Sequence, residues 1–303
     1  MALSAPRRPR VNGACATLMA ALSLAPGCGS RETLVVGSKN FTEQDLLGEI
    51  AAQWIEATLD IPVERRLHLG ATFIAHRALV AGEIDLYPEY TGTALAAVLE
   101  QDPGSRPDSV LARVRAAYAE RWNLTWLPPL GFENTFAILV RARTADSLGL
   151  ATVSDLAAHP GALRAGFGYE FMEREDGFAG LVAAYGLEFG APAREMDLGL
   201  VYRAVAEGQV DLTAGNSTDG RIETLDLRHL ADDRSYFPPY EAAFVVRDDA
   251  LARTPGLRET LERLSGRIDT ETMRRLNRAV DLDHRNLAEV AREWVSASLP
   301  DPR

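Results

Sequence analysis

Apolar positions along the chain follow two alternating rhythms. Leu34-Val35-Val36 is a short apolar run that stops at Gly37-Ser38-Lys39-Asn40, as a buried strand does where it enters a loop. From Thr42 the period lengthens: Leu46, Leu47, Ile50, Ala51, Trp54 and Ile55 share one face of a helix, with Thr42 and Asp45 in capping-box spacing at its start. A second strand near Val63 to Leu69 leads through Gly70-Ala71-Thr72 into a helix reaching about Ala81. Then Gly82 to Thr93 reads GEIDLYPEYTGT. Ile84 and Leu86 alternate with polar neighbours, Pro88 is expected to stop the pairing, and Thr91-Gly92-Thr93 opens a helix to Leu99. Strand and helix alternate throughout, which predicts a parallel sheet.

The rhythm continues with an amphipathic helix over Asp108 to Trp122, a strand over Leu124 to Leu127, and a new apolar strand over Thr135 to Val140. A second α/β set follows. It has helices over Val153 to Ala158, Phe178 to Tyr185 and Val201 to Glu207, and strands over Leu163 to Phe167, near Met196 and over Val210 to Ala214. Asp232 to Val246 is Pro-rich and then strand-like, and Leu251 to Leu299 is helical. The expected architecture is α/β, with two lobes and a ligand cleft between them. The first lobe takes residues 34–134 and 241–303, the second takes 135–240, and the chain crosses near 132–138 and 236–245.

A length of 303 residues suits two such lobes, and 47% hydrophobic with 25% charged residues is the composition of a folded soluble protein. The net charge of −11 argues against a nucleic-acid partner. The five histidines have no ligand spacing, so neither a metal nor another cofactor is expected. Residues 1–27 read as a secretory signal: Arg7, Arg8 and Arg10 precede an apolar run too short to span a membrane. Cys28 follows Gly27 as in a bacterial lipoprotein site, with residues 28–33 as a tether, so the mature chain is expected outside the cytoplasm, lipid-anchored through Cys28, the alternative being ordinary cleavage and release. Loss of Cys15 with the leader leaves no pair for a disulfide.

A strand end leading into a helix start favours anions, and Tyr87 and Tyr90 place aromatic faces beside it. That combination suits a small zwitterion with a cationic end. Six segments in register then carry a family resemblance: GSKNFTEQ (Gly37 to Gln44), GEIDLYPEYTGT, GFENTFAILV (Gly131 to Val140), FMEREDGFAGL (Phe171 to Leu181), GNSTDGRI (Gly215 to Ile222) and YFPPYEAAFVVR (Tyr236 to Arg247). The chain resembles the osmoprotectant (glycine betaine, carnitine, choline) binding proteins of ABC importers. The resemblance implies a type II periplasmic-binding-protein fold and a monomer that captures a solute by hinge closure. The solute then passes to a permease powered by a separate ATPase.

By the same resemblance, Lys39, Thr93 and Arg174 would hold the ligand's carboxylate, and Tyr90 and Tyr240 would cage its quaternary ammonium. The cage is altered: Phe136 and Asn216 stand where further tyrosines are expected, and Asn134 where an aspartate is expected. Two readings of the ligand therefore stay open, a betaine-like quaternary amine or a different zwitterion. Solute sensing is the alternative to import. Arg174, taken as a clamp at a cleft surface, is expected to be removable without cost to the empty fold. Tyr87 is assigned to packing, Asp85 and Glu89 to strand-end or turn hydrogen bonds, Tyr236 to a hinge, and Trp54, Trp122, Trp126 and Trp294 to core. Gly166-Phe167-Gly168 lacks the third glycine of a dinucleotide loop, and Ser217 lacks a nucleophile elbow, so no enzyme is expected.

Overall fold

The computed structural model describes residues 1–2, 33–101 and 107–299. The signal expected over residues 1–27 lies almost wholly outside these, and Cys28 with its tether up to residue 32 lies outside them altogether. Among the described residues, ten strands form a five-stranded sheet, a three-stranded sheet and a two-stranded pair. β1 (Leu34–Gly37), β2 (Val63–Arg66), β3 (Leu86–Tyr90), β4 (Leu124–Trp126) and β10 (Ala242–Arg247) make the first, in the order β2-β1-β3-β10-β4. β1 is parallel to β2 and β3, as expected, while β10 runs antiparallel to β3 and β4.

Pro88 does not end β3; the strand runs through it to Tyr90. Pairing with β1 is confined to Val36 opposite Leu86, so proline removes no bond on that side. On the other side the ladder bonds fall at Arg247 N–H to Asp85 O and Thr91 N–H to Glu241 O. That parity puts Pro88 in a non-hydrogen-bonded pair opposite Phe244, where no N–H is needed.

The second lobe departs from the expected parallel set. β5 (Phe136–Arg141) is flanked by β8 (Leu212–Asn216) and β9 (Leu227–Leu230), both antiparallel to it. β6 (Gly166–Gly168) and β7 (Arg194–Met196) form a parallel pair, linked to β8 by the bridge Ala165–Leu212. Period-two alternation fixes which face is buried but not strand direction, and β9 and the helix Ala142–Leu148 were not anticipated. Each sheet has its own core. Helix Thr42–Leu59 packs in the first lobe against the tail helices Leu257–Glu262, Thr270–Asp281 and Leu287–Ser298, and Trp54 donates there to Thr260 O at 2.9 Å.

The capping box at Thr42 does not form. The Thr42 hydroxyl donates to Asp281 at 2.5 Å, and Asp45 instead accepts from Ser38 Oγ at 2.5 Å and from the His68 N–H at 3.1 Å. These bonds pin the loop after β1 to the loop after β2. The helix expected to reach Leu99 is α-helical only over Thr91–Thr93 and continues as a wider π turn over Ala94–Val98. Where the chain passes between lobes, the two crossings pair with each other: Glu133 bridges Glu241, Asn134 N–H donates to Tyr240 O, and Ala242 N–H donates to Phe132 O.

His76, on helix Thr72–Ala81, is buried edge-on against Trp122 (4.6 Å) and Tyr118 (5.4 Å), and its Nδ1 finds no hydrogen-bond partner. Burial lowers its pKa from 6.5 to about 4. The folded state thus favours the neutral ring, a contribution complete above the unfolded value and lost as pH falls toward the folded one. In thermal unfolding at pH 7 and pH 4.5, the melting temperature of the wild type is expected to drop several degrees more than that of His76→Phe. Equal drops would show that the fold accepts the charged ring without penalty.

Candidate ligand-binding site

All eight candidate ligand residues, Lys39, Tyr90, Thr93, Asn134, Phe136, Arg174, Asn216 and Tyr240, line one cavity of about 350 Å³ between the lobes. Lys39 comes from the loop after β1, Tyr90 and Thr93 from the end of β3 and the helix that follows. Gly92 lets that helix start seat on the second crossing; a Cβ there would meet Pro239 O at 2.7 Å and Tyr240 Cδ1 at 2.8 Å. Asn134 and Tyr240 lie on the paired crossings, Phe136 opens β5, Asn216 closes β8, and Arg174 ends the short helix Tyr169–Glu173.

Neither cation is a solvated surface charge: Lys39 is 2% and Arg174 is 4% exposed. Lys39 Nζ lies 2.6 Å from Glu89 Oε1 and 4.7 Å from the Tyr90 ring centroid. Arg174 is held bidentately by Asp176, with Nε to Oδ1 at 2.7 Å and Nη2 to Oδ2 at 2.5 Å. Its Nη1 reaches across the cleft to Thr93 Oγ1 at 3.2 Å and also donates to Glu170 Oε1 at 3.1 Å. The guanidinium lies 5.0 Å from the Phe136 ring centroid and 5.9 Å from that of Tyr240. Burial disfavours the Arg174 charge, but Asp176 and the other neighbours outweigh it and raise its pKa. Glu170 is held below the usual range in the same way, burial being overcome by Lys39 and Arg174. Burial, reinforced by Glu43 at Tyr90 and Asp176 at Tyr240, keeps both phenols protonated and donating.

Sequence reading missed the acids behind these residues. Asp176 takes the Arg174 fork and the Tyr240 hydroxyl (2.7 Å). Glu89 hydrogen-bonds at the strand end as expected, accepting from the Tyr90 N–H at 2.7 Å, and is also the wholly buried partner of Lys39 and an acceptor from Tyr87 at 3.1 Å. Glu170 joins the lobes by accepting from Thr72 Oγ1 at 2.5 Å. Both Glu89 and Asp176 stand inside quoted motifs and could have been found by asking what neutralises a buried lysine or arginine. Asp85 behaves as expected, accepting from Val35 N–H at 2.8 Å, and Tyr87 is core. Tyr236 lies outside the cavity, its hydroxyl against Glu175 O. Because Arg174 is buried and paired, its removal would strand Asp176, so a cost to the empty fold is expected in place of none.

Residues 32–297 match the substrate binding domain of ABC-type glycine betaine transport system. The chain belongs to that family. Relatives include the carnitine transport binding protein of Listeria monocytogenes, 37% identical over 274 residues and covering 89% of each chain. The ergothioneine transport permease/ergothioneine binding protein of Helicobacter pylori is 35% identical over 92% of this chain and 50% of its own length. A crystal structure of a glycine betaine/carnitine/choline ABC transporter protein superposes with a TM-score of 0.71 at 34% identity, covering 87% of this chain and 98% of that one. The fold is therefore the two-lobe fold of periplasmic binding proteins. The family is one of extracytoplasmic solute-binding components of ABC transport systems. No helix among the described residues is long and apolar enough to cross a membrane.

Removing one side of a buried ion pair costs roughly 3–5 kcal/mol. Glu89→Gln leaves Lys39 with Thr72 Oγ1 at 3.4 Å as its remaining bonded partner. Denaturant unfolding of the empty protein is expected to show a loss of about that size. A loss below about 1 kcal/mol, as for an exposed pair, would place Lys39 in water instead.

Proposed function

We propose that the protein captures a short betaine-like zwitterion or quaternary amine between its lobes and delivers it to a permease driven by a separate ATPase. The observation that carries this reading is the meeting, in one cavity, of buried cations from opposite lobes with the rings of Tyr90, Phe136 and Tyr240. The ligand's carboxylate lies between Lys39, Thr93 and Arg174, where it competes with Glu170 for the Arg174 Nη1 group. Its cationic end lies against the aromatic faces, each desolvated contact contributing up to about 2 kcal/mol. The crossings at 132–138 and 236–245 serve as the hinge between a lobe of residues 34–134 with 241–303 and one of residues 135–240. The reading is of a monomeric binding protein, not an enzyme, tethered outside the cytoplasm by lipid on Cys28.

One observation favours the second ligand reading, a zwitterion that carries an N–H. Asn134 stands at the expected aspartate position, is 6% exposed, and its Oδ1 has no hydrogen-bond partner. A quaternary ammonium cannot donate to that oxygen, whereas an N–H can.

Calorimetric titration with glycine betaine, carnitine, choline and proline betaine tests the reading; no heat with any of them up to millimolar ligand would falsify the quaternary-amine assignment. Arg174→Ala is expected to weaken binding of the carboxylated solutes by about a hundredfold while changing choline little. Equal losses for choline and glycine betaine would mean that the variant acts through stability and that the carboxylate clamp is misplaced.

A further inference from the structure

Glu43 is a buried carboxylate with four hydrogen-bond donors and no basic side chain among them. Oε1 accepts from the Tyr90 hydroxyl at 2.6 Å and from Asn134 Nδ2 at 2.8 Å. Oε2 accepts from the Thr218 hydroxyl at 2.5 Å and from Asn277 Nδ2 at 2.8 Å. These donors come from four separated parts of the chain. Tyr90 and Asn134 line the ligand cavity, Thr218 follows β8 in the second lobe, and Asn277 is on the tail helix Thr270–Asp281 of the first. Glu43 does not line the ligand cavity. It lines a neighbouring cavity of about 250 Å³ together with Thr218 and Asn277, and the two cavities share Asn40, Phe41 and Asn216 as wall residues.

We propose that Glu43 is a positioning residue that couples the occupied ligand cavity to closure of the lobes. One oxygen orients two residues of the cavity wall and the other holds the second lobe, so the same carboxylate senses both. This inference rests on the solute-binding reading above.

Bonds beside the Thr218 hydroxyl hold the same part of the second lobe. Thr218 is wholly buried, and its carbonyl accepts from Asn277 Nδ2 at 3.1 Å. Arg274 of the same tail helix donates to Ser217 O at 3.0 Å. The Thr218 hydroxyl is the bond that the second lobe gives to Glu43, and opening the lobes breaks it. Burial raises the Glu43 pKa and the four donors only partly oppose it, so losing any one of them leaves a buried acceptor oxygen short of a partner. Loss of the Thr218 bond on opening therefore loosens the hold on Tyr90 and Asn134. Conversely, a ligand that fixes Tyr90 and Asn134 favours the geometry in which Thr218 is bound.

Thr218→Val is close in shape, removes only the second-lobe donor and leaves the ligand-cavity lining unchanged. It is expected to weaken glycine betaine binding by about tenfold, the size of one buried hydrogen bond. It is also expected to shift small-angle scattering, for the empty and the glycine betaine-saturated protein alike, toward a more open form. Thr218→Ser should restore both. Unchanged scattering in the Val variant, with or without an altered affinity, overturns the proposal, as does failure of Ser to restore closure. If the wild type binds none of the osmoprotectants, the ligand reading fails by itself, and the scattering of the empty proteins still decides whether Thr218 and Glu43 hold the lobes together.

Discussion

Everything in the cleft depends on keeping charge out of water without leaving it unpaired. Lys39 and Arg174 are buried where the lobes meet, and an isolated buried cation would lose its proton or unfold its surroundings. Glu89 and Asp176 prevent this, and each needs further donors of its own. Glu89 recruits Tyr87 and the Tyr90 N–H, and Asp176 recruits Tyr240. The aromatic residues of the cavity are thereby fixed by the same network that stabilises the cations. The preorganised site and the stable fold are one arrangement of charges, so a change on either side of a pair disturbs both.

Much of this was legible in the amino-acid sequence because it is local. The stripe from Leu46 to Ile55 and the run of Leu34 to Val36 mark their elements by period alone, and the residues that line the cavity as expected stand within short motifs. The missed features join positions far apart in the chain. Nothing near Glu43 announces Thr218 or Asn277, since their proximity exists only once the tail helix has returned to the first lobe. Strand direction around β5 and the tolerance of Pro88 within β3 are likewise set by neighbours that folding supplies. Thr42 and Asp45 have the spacing of a cap, yet better partners at Asp281 and Ser38 claim them, a tertiary preference overriding a local one.

The cavity's chemistry also shows why altered cage positions need not empty a site of function. Phe136 has lost the hydroxyl expected there but keeps a face, occupied by Arg174 at 5.0 Å and braced edge-on by Phe171 at 4.8 Å. Asn134 carries no charge, yet a carboxylate stands one side chain behind it. The field inside the cavity is thus set partly by groups that do not line it.

The paired crossings have a mechanical consequence. Two independent strands would let one lobe slide, twist or tilt against the other. Here Glu133 and Glu241 bridge, and the flanking backbone bonds lock the strands in register. Sliding one along the other would break every bond of the ribbon at once, whereas bending both together breaks none. The ribbon therefore opposes sliding and yields to bending, and it keeps Thr93 and Arg174, on opposite walls of the cavity, in register with each other.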